Sequence, residues 1–460
     1  MITPSRIRRA AEFRLRRLRR RLRSGGEVAE RANTFERFTA PIGPVTASNP
    51  PGPTIVLLND CRDQDNFGAS ALIDGLVAIL SRSMPNASIL PIPSHWMIER
   101  AAFDGFIEGG AGLRQPRVTF PELADQFETI GDEWMAGTGG ADLHAYLDRF
   151  RQADLVVFNG EGSLYRTNQS AIREVFLAWF AKERLGIPTV FMNGMVHLTD
   201  VVPILPAMVR KTFSILDAVA VREACSLRNL EAFAPDVDAR VFPDSAFVLT
   251  ADDALDTPAV RAIRDQIGEA PYFCFDPGAM PMDHRGLKKS ALYELITALQ
   301  KAAPRAVLVN SAPADRYIEQ IAAETGAIFV DTLTDYREYM TLVRDAQFVA
   351  SGRYHNPILA AIMGCPSLAF GSTNHKVHGA SEMLEVVGSP HDGTDLRPRL
   401  DVIEEQARAY VRDRGKFRDE LQELCRRLRS EAFELGGVAA GALRTNELGA
   451  SAQAAEVIGR

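Results

Sequence analysis

An arginine and a histidine stand two residues apart in the segment SGRYHNPILAAIMGCP, residues 351–366. Arg353 presents a planar fork of N–H donors that matches the oxygens of a carboxylate or a phosphate. His355 carries a ring nitrogen that can donate a proton or bind a further anion oxygen. We therefore predict an anion site here, with His355 as a candidate proton donor. The alternative is a structural arginine bonded to backbone carbonyls and a histidine that satisfies the loop.

Local signals place this pair between a strand and a helix. The apolar run at 346–350 predicts a core strand, and Asn356 before a proline predicts the N-cap of a helix. Gly364 predicts the left-handed residue at the helix end. In β-loop-α units, ligands bind at the carboxyl end of the strand, beside the helix N-terminus. Ser351 and Asn356 are therefore included among the predicted anion ligands.

A second candidate loop is NGEGSLY, residues 159–165, after a strand predicted to end at Phe158. Small residues allow the backbone to approach a ligand, and successive N–H groups can cradle an anion or a sugar hydroxyl. Glu161 is a candidate general acid or base, or a ligand of an acceptor sugar. The loop is neither a Walker loop nor a complete GxGxxG motif, and a plain tight turn is the alternative.

Two other strand ends offer candidate ligands. Asn66, Phe67 and Gly68 precede a helix after the first strand, which predicts a ligand loop or a capped turn. Arg222 ends the strand in AVAVREACS, where it is either a second anion ligand or a surface arginine. Asp244 in VFPDSAF is interpreted as a structural Asx turn.

The loop GSTNHKVHG, residues 371–379, adds Lys376 as a candidate phosphate or hydroxyl ligand. His375 and His378 are three residues apart in the same loop. No carboxylate or cysteine accompanies them locally, so the sequence predicts no metal site here.

Composition is ordinary for a soluble α/β protein, with 46% hydrophobic and 24% charged residues among 460. No apolar run is long enough to span a membrane, and no secretory segment is evident near the start. The five cysteines are scattered and lack a CxxC pair. We therefore expect a reducing, cytoplasmic location without disulfides.

The N-terminal segment is strongly basic. Residues 1–23 contain ten arginines and one glutamate, whereas the whole chain carries a net charge of −7. Apolar residues recur there at helical intervals, which is typical of an amphipathic helix on the anionic inner face of a membrane. A solvated arginine-rich tail is the alternative. Nucleic acid is not expected as a partner, because the rest of the chain is acidic and has no recognisable binding module.

Strands alternate with helices in two successive sets, which predicts two Rossmann-like domains with parallel sheets and a cleft between them. The predicted organisation divides the chain into five ranges. It comprises a basic segment and linker (1–50), an N-terminal domain (51–255), a C-terminal domain (268–395), a C-terminal helix (400–433) and a flexible Ala/Gly-rich tail (434–460).

Four segments, in order, resemble the polysaccharide pyruvyl transferase family. They are the NFG turn at 66–68, the loop NGEGSL, the VRE and FPDSAF pair, and SGRYHNPILAAIMGCPSLAF followed by Lys376. The last is the most specific, because the family pattern has an arginine, one apolar or aromatic residue, a histidine, an apolar helix, Gly-x-Pro and a later lysine. The resemblance covers roughly residues 54–385 and implies paired Rossmann-like domains arranged as in GT-B glycosyltransferases.

The resemblance also implies an activity: transfer of pyruvate from phosphoenolpyruvate, as donor substrate without a further cofactor, onto a sugar of a polysaccharide or lipid-linked glycan of the cell envelope. Such a reaction belongs to exopolysaccharide biosynthesis. Arg222, Arg353 and His355 would bind the donor, and the N-terminal loops would face the acceptor. The expected acceptor-side residues are Asn66, Gly68, Asn159, Gly160, Gly162 and Ser163.

Two other functions remain open at this point. A GT-B glycosyltransferase that uses a nucleotide sugar would also need an anion site in its C-terminal half. It is disfavoured because no late Glu-x7-Glu ribose-binding pattern follows residue 366. A catalytically silent glycan-binding or scaffold protein, held at the membrane by its basic start, is the other alternative.

Overall fold

The computed structural model describes residues 42, 52–64, 66–98, 115–165, 167–278, 280, 289–311, 317–371, 374–385 and 388–458. The basic segment at 1–23 and the linker to residue 50, apart from Ile42, lie outside the described residues. The prediction of membrane contact through that segment therefore stays a prediction. Within the described ranges, no helix is both long and apolar enough to cross a membrane.

The first half of the chain forms a six-stranded parallel sheet with the order β2-β1-β3-β4-β5-β6. Its strands are β1 (Thr54–Asp60), β2 (Ser88–Pro93), β3 (Leu155–Leu164), β4 (Thr189–Val196), β5 (Ala218–Val221) and β6 (Ala239–Val241). Its helices are α1 (Phe67–Ser83), α2 (Phe127–Met135), α3 (His144–Phe150), α4 (Gln169–Trp179, continued by the π-helical turn Phe180–Arg184), α5 (Ile204–Phe213) and α6 (Ala224–Phe233). The central strands are buried on both faces, as parallel sheets covered by helices require.

The second half forms a five-stranded parallel sheet with the order β11-β10-β7-β8-β9. Its strands are β7 (Tyr272–Asp276), β8 (Arg305–Val309), β9 (Ile328–Val330), β10 (Val349–Ser351) and β11 (Ser367–Ala369). Its helices are α7 (Pro258–Ile267), α8 (Lys289–Gln300), α9 (Ile318–Thr325), α10 (Tyr336–Asp345), α11 (His355–Ile362), α12 (Lys376–Met383) and α13 (Leu400–Arg412). The prediction of two Rossmann-like parallel-sheet halves is confirmed.

The strand order reverses direction once in each sheet. In the first sheet β2 lies on one side of β1, and the chain then crosses to β3 on the other side. In the second sheet β8 and β9 lie on one side of β7, and the chain then crosses to β10 and β11 on the other side. Such switch points leave a crevice at the carboxyl ends of the two strands, where ligands bind in open α/β sheets. Glu161 lies near the carboxyl end of β3, at the switch point of the first sheet. Asp276 and Arg353 lie at the switch point of the second sheet.

A long C-terminal helix joins the two halves. Helix α14 (Arg414–Ile458) leaves the second half and packs on α1 and on β4 and β5 of the first. The prediction of a helix ending at 433 with a flexible tail is wrong for this region. Leu435, Val438 and Ala439 are buried, because they continue the apolar face that begins earlier in the helix.

Two element boundaries near the site differ from the sequence prediction. Strand β3 continues past Phe158 to Leu164, because its pairing with β4 resumes after a register shift between Glu161 and Leu164. Helix α11 begins at His355, so Asn356 lies inside the first turn and is not the N-cap. Gly364 has the predicted left-handed conformation, with φ 71°.

Candidate active site at the meeting strand ends

Three neighbouring strands each contain a left-handed residue near the carboxyl end. Asn59, Glu161 and Asn193 have φ of 67°, 37° and 56°. Asn59 donates its amide to the carbonyl of Asn159 at 3.0 Å, and Asn159 donates its amide back to the carbonyl of Asn59 at 2.9 Å. This reciprocal pair is buried, so Asn159 holds β1 and β3 together and is not placed to contact an acceptor.

Glu161 is half-buried in the glycine loop. Its backbone N–H is held by Asn159 Oδ1 at 3.3 Å. The negative charge of its carboxylate favours the charged forms of Arg222 and Lys376 and so contributes to raising the pKa of each. Glu161 therefore lies among the cationic groups of the site. The chemical role of Glu161 stays a prediction.

The small residues of this loop divide into two roles. A Cβ at Gly160 would overlap the Phe191 ring and the Gly194 backbone, so this glycine serves strand packing. At Gly162 a Cβ would meet only Arg222 Nη2, at 3.9 Å, which leaves the backbone open toward the site. Ser163 donates its hydroxyl to the Gly160 carbonyl at 3.0 Å.

Arg222 is buried, with 1% of its surface exposed. Its Nε donates to Glu223 Oε2 and its Nη1 to Asp244 Oδ2, both at 3.1 Å. The ring of Tyr354 lies 3.8 Å from the guanidinium carbon. The alternative of a surface arginine is therefore wrong. Burial acts to lower the pKa of Arg222, but Tyr354, Glu223 and Asp244 together raise it, so the guanidinium is a fixed cation.

His355 lies beside the same carboxylate. Its Nε2 is 3.5 Å from Asp244 Oδ2, is buried, and forms no hydrogen bond with the described residues. A Cβ at Gly68 would overlap the His355 ring, so the absence of a side chain in the NFG turn makes room for the imidazole. Asn66 caps α1 by accepting from the Gly68 N–H at 2.9 Å, which makes it a structural residue.

Asp244 forms the predicted Asx turn, because its Oδ1 accepts from the Ala246 N–H at 2.8 Å. Its other oxygen lies between His355 and Arg222. Burial acts to raise the pKa of Asp244, but the two cations and the N–H outweigh burial and lower it. The spacing of the sequence does not predict this second role, because Asp244 is more than one hundred residues from His355.

Asp276 at the end of β7 organises the second switch point. It accepts from the Gly278 N–H at 2.9 Å, from Asn356 Nδ2 at 3.0 Å and from Arg353 Nε at 3.4 Å, and also from the Ser311 hydroxyl. The Asn356 amide is therefore bonded to Asp276. Asp276 is not among the residues predicted from the sequence; its place at the end of the strand in YFCFDPG is the signal that could have identified it.

Arg353 lies on the loop between β10 and α11, with 20% of its side chain exposed. Ser351 Oγ accepts from its backbone N–H at 3.0 Å, so Ser351 orients the loop that carries the guanidinium. The charge of Arg353 acts on Lys376 and lowers the pKa of that ammonium. The two predicted cations from consecutive loops are thus neighbours.

Lys376 begins α12 and is half-buried. Its ammonium forms no ion pair or hydrogen bond with the part of the chain that the structure describes. Burial, together with the charges of Arg353 and Arg222, lowers the pKa of Lys376 to about 8, although Glu161 and Glu223 partly offset this. The site therefore presents a cation whose charge is not neutralised by a partner.

His375, next to Lys376, contacts the first half of the molecule. Its Nδ1 is 2.8 Å from His197 Nδ1, and its Nε2 is 3.2 Å from Ser226 Oγ and 3.9 Å from Glu223 Oε1. Burial and the neighbouring His197 lower the pKa of His375 to about 4. The fold thus brings a carboxylate to this histidine, which the local sequence does not contain.

A buried carboxyl group lies behind the glycine loop. Glu174 on α4 accepts from the Ser170 hydroxyl at 2.7 Å, and its Oε2 has no hydrogen-bond partner in the described residues. Burial, with a contribution from Glu161, raises the pKa of Glu174 to about 8 although Ser163 and Ser170 oppose this. Glu174 is therefore mainly uncharged at neutral pH.

Solved structures with a similar fold have little sequence similarity to this chain. Sucrose-phosphate synthase from Thermosynechococcus elongatus is 14% identical, with a TM-score of 0.50 over 88% of this chain and 100% of that one. Trehalose-6-phosphate synthase OtsA is 10% identical, with a TM-score of 0.53 over 85% and 99%. Anabaena HepE in complex with UDP is 12% identical, with a TM-score of 0.50 over 86% and 99%. These similarities establish the GT-B-like arrangement of the two halves.

Comparison with protein families and curated sequences gives a narrower result. No curated protein sequence matches the chain significantly. The family model of polysaccharide pyruvyl transferase matches residues 66–374. The matched range runs from the NFG turn to the residue before His375 and includes Glu161, Arg222, Asp244 and the Arg353–His355 pair. Because this match covers most of the sequence, the chain belongs to the polysaccharide pyruvyl transferase family.

Proposed function

We propose that this chain transfers pyruvate from phosphoenolpyruvate to two hydroxyl groups of a glycan, with a cyclic ketal and inorganic phosphate as products. One observation carries the proposal. Arg222 Nη2, His355 Nε2 and Lys376 Nζ form no hydrogen bond with the described residues, although Arg222 and His355 are buried and Lys376 is half-buried. Polar groups in such surroundings are normally satisfied, and a small anion with several oxygens would satisfy all three.

Phosphoenolpyruvate has the charge that such a set of groups favours. It carries a phosphate and a carboxylate on a three-carbon skeleton, and Arg222, Arg353 and Lys376 come from three different elements around one space. We assign these three cations to the two anionic groups of the donor. Fixed cations that also stabilise the charge of the departing phosphate would lower the barrier of the transfer.

The reaction needs one proton donor and one proton acceptor at different atoms. Protonation of the methylene carbon turns it into a methyl group and leaves an oxocarbenium-like centre at the adjacent carbon. One sugar oxygen bonds to that carbon, and a second sugar oxygen then displaces phosphate. The two hydroxyl protons balance the proton delivered to carbon and the proton taken up by the departing phosphate.

His355 is the residue that we assign as the acid, because its buried Nε2 lies 3.5 Å from the Asp244 carboxylate, beside the cation cluster. Glu161 is assigned to the acceptor side, where a carboxylate could take a proton from a sugar hydroxyl. The scheme needs no cofactor beyond the donor itself.

The direct test is incubation of the full chain with phosphoenolpyruvate and a panel of lipid-linked and nitrophenyl sugars. We expect phosphate release that depends on the sugar, and a product heavier by one pyruvate. A parallel incubation with nucleotide sugars measures nucleoside diphosphate release. Sugar transfer from a nucleotide without phosphate release from phosphoenolpyruvate would overturn the proposal, and inactivity toward every donor would favour the scaffold alternative.

The role of Lys376 gives a quantitative prediction. Lys376→Met removes one charged hydrogen bond to the donor, which is worth about 1.5–3 kcal/mol and corresponds to roughly a 10- to 150-fold loss in kcat/KM. We expect this loss mainly in the KM for phosphoenolpyruvate, with partial recovery in Lys376→Arg. Lys416→Met on α14 removes an exposed lysine and is the matched control. An unchanged KM in Lys376→Met would exclude the residue from donor binding.

We also propose that the enzyme works at the cytoplasmic face of a membrane, held by the basic segment at residues 1–23. Ten arginines there would be attracted to anionic lipid. Deletion of residues 1–23 should reduce sedimentation with vesicles that contain phosphatidylglycerol, and should not affect those made of phosphatidylcholine alone. Equal binding of both chains at low salt would exclude this segment as the membrane anchor.

A further inference from the structure

Three potential metal ligands meet beside Arg222, at the boundary between the two halves. Glu223 is the N-cap of α6 and Cys225 lies in the first turn of that helix, whereas His375 precedes α12. A carboxylate oxygen of Glu223, the Cys225 sulfur and a ring nitrogen of His375 all lie within 4.8 Å of one another. Cys225 and His375 are 150 residues apart in the sequence, so no local sequence motif predicts the cluster.

One edge of this cluster is close to the spacing of a tetrahedral site. Zinc bonds of about 2.0 Å to oxygen and nitrogen and about 2.3 Å to sulfur place neighbouring ligand atoms roughly 3.3–3.7 Å apart. Glu223 Oε1 and His375 Nε2 are 3.9 Å apart. A contraction of about half an ångström along this edge would therefore bring both atoms to bonding distance of one ion.

The surroundings hold two of these side chains in place. Glu223 Oε2 accepts from Arg222 Nε at 3.1 Å and from the Tyr354 hydroxyl at 3.2 Å, which leaves Oε1 on the side of Ser226 and His375. The Ser226 hydroxyl donates to Oε1 at 2.6 Å and lies 3.2 Å from His375 Nε2, so a bound metal ion would replace this bridging hydroxyl. His375 Nδ1 contacts His197 Nδ1 at 2.8 Å. Metal-binding histidines almost always use their second ring nitrogen in such a contact, because it orients the ring and its lone pair.

We propose that Glu223, Cys225 and His375 bind a zinc ion that joins the two halves of the molecule. A thiolate and an imidazole together favour zinc over magnesium or calcium, and the fourth position would be filled by water. Binding replaces the proton of the Cys225 thiol, which is released to solvent, and requires His375 to offer the lone pair of Nε2. The zinc ion would act as a clamp between the turn after β5 and the start of α12.

The first test uses the unmodified protein, stripped with a chelator and then titrated with zinc chloride. We expect binding of one zinc per chain and an unfolding temperature that rises with zinc concentration, because ligands that bind only the folded state stabilise it. Cys225 is the half-buried cysteine, and the other four are buried. A thiol reagent should therefore label Cys225 preferentially in the stripped protein, and zinc should suppress this labelling. Labelling that zinc leaves unchanged would overturn the proposal.

Variants separate this site from adventitious binding. Cys225→Ser and His375→Gln should each weaken zinc binding by at least tenfold, and Cys225→Ser should abolish the sulfur-to-metal absorption band of the cobalt-loaded protein. His378→Gln, on the exposed face of α12, and Cys425→Ser, on α14, are matched controls that should bind zinc normally. Equal binding by all four variants would show that the metal sits elsewhere. Unfolding of the stripped variants, compared with the stripped wild type, shows whether each variant still folds.

Discussion

At the residue scale, the site depends on a small number of contacts that cross from one half of the molecule to the other. His355 belongs to the second half, but the carboxylate beside it, Asp244, belongs to the first. The glycine that admits its ring, Gly68, also belongs to the first half. The imidazole is therefore positioned by two elements that are far apart from each other in the sequence.

Gly68→Ala tests this positioning directly. The new methyl group would overlap the His355 ring, so the ring or α1 has to move. We expect kcat to fall at least tenfold, because a displaced acid loses its alignment with the reacting carbon. The KM for phosphoenolpyruvate should change less, since the cations are untouched. Kinetics with the glycan acceptor give both values.

Gly415→Ala is the control for this substitution, because a Cβ there meets nothing within 4 Å. It should retain the activity of the wild type. A Gly68→Ala enzyme with full kcat would contradict the assignment of His355 as the acid and would reduce Gly68 to a packing residue.

At the element scale, α4 supports the glycine loop with a carboxyl group that is uncharged at neutral pH. The pKa of Glu174 is raised from 4.5 to about 8 by burial. Between these two pH values, Glu174 therefore keeps its proton in the folded chain and loses it in the unfolded chain. The sign follows from linkage: the free energy of unfolding decreases as pH rises from 4.5 to 8 through this group.

Glu174→Gln should remove this contribution. The wild type should lose about 1.4 kcal/mol of stability per pH unit from this group within that window, whereas the variant should lose none from it. Urea unfolding at pH 5, 6, 7 and 8 measures the difference between the two proteins. Glu183→Gln alters an exposed residue of the same helical segment and should follow the wild type. Parallel curves for wild type and Glu174→Gln would contradict the buried, protonated state.

Helix α14 offers a matched pair of neighbouring glycines. A Cβ at Gly436 would overlap the Ser83 side chain on α1, whereas a Cβ at Gly437 meets nothing within 4 Å. Gly436→Ala should therefore lower the free energy of unfolding by about 1–3 kcal/mol through overpacking. Gly437→Ala should raise it by up to about 1 kcal/mol, because alanine favours the helix. Equal effects in urea unfolding would indicate a free tail and not a docked helix.

At the scale of the whole molecule, the two halves share one hydrophobic core. Leu72 and Ile79 of α1, Tyr336 and Leu342 of α10, and Leu421 of α14 belong to a single buried cluster. The Tyr336 hydroxyl also donates to Asp74 Oδ2 at 2.9 Å across the boundary. Neither half could expose this core to water without a large loss of apolar burial.

We therefore expect one cooperative unfolding transition for the whole protein in differential scanning calorimetry. Tyr336→Phe should lower the free energy of unfolding by about 1 kcal/mol, because it leaves the half-buried Asp74 carboxylate without its donor. The transition should remain single in this variant. Two separated transitions in the wild type would contradict a shared core and would describe two independently stable domains.

The sequence by itself determined the elements and the order of the predicted ligands. Hydrophobic alternation, caps and glycine stops are local signals, so the strand ends that carry Glu161, Arg222 and Arg353 could be identified from spacing alone. The arginine–histidine pair, the helix after it and Lys376 also lie within one short segment. The two parallel sheets confirm the predicted fold, and the family match over residues 66–374 confirms the resemblance, whereas the roles of these residues stay predictions.

Only the tertiary structure decided which groups face one another. Asp244 and Asp276 bind the cations of the site, and Glu223 and Cys225 approach His375, yet each partner is distant in the sequence. The packing of α14 against α1 was not predicted from the sequence either. The small residues of its Ala/Gly-rich part do not indicate which face is buried until another helix packs against them. The physical reason is common to these cases: local propensity fixes where strands and helices begin and end, whereas burial between elements fixes which side chains meet.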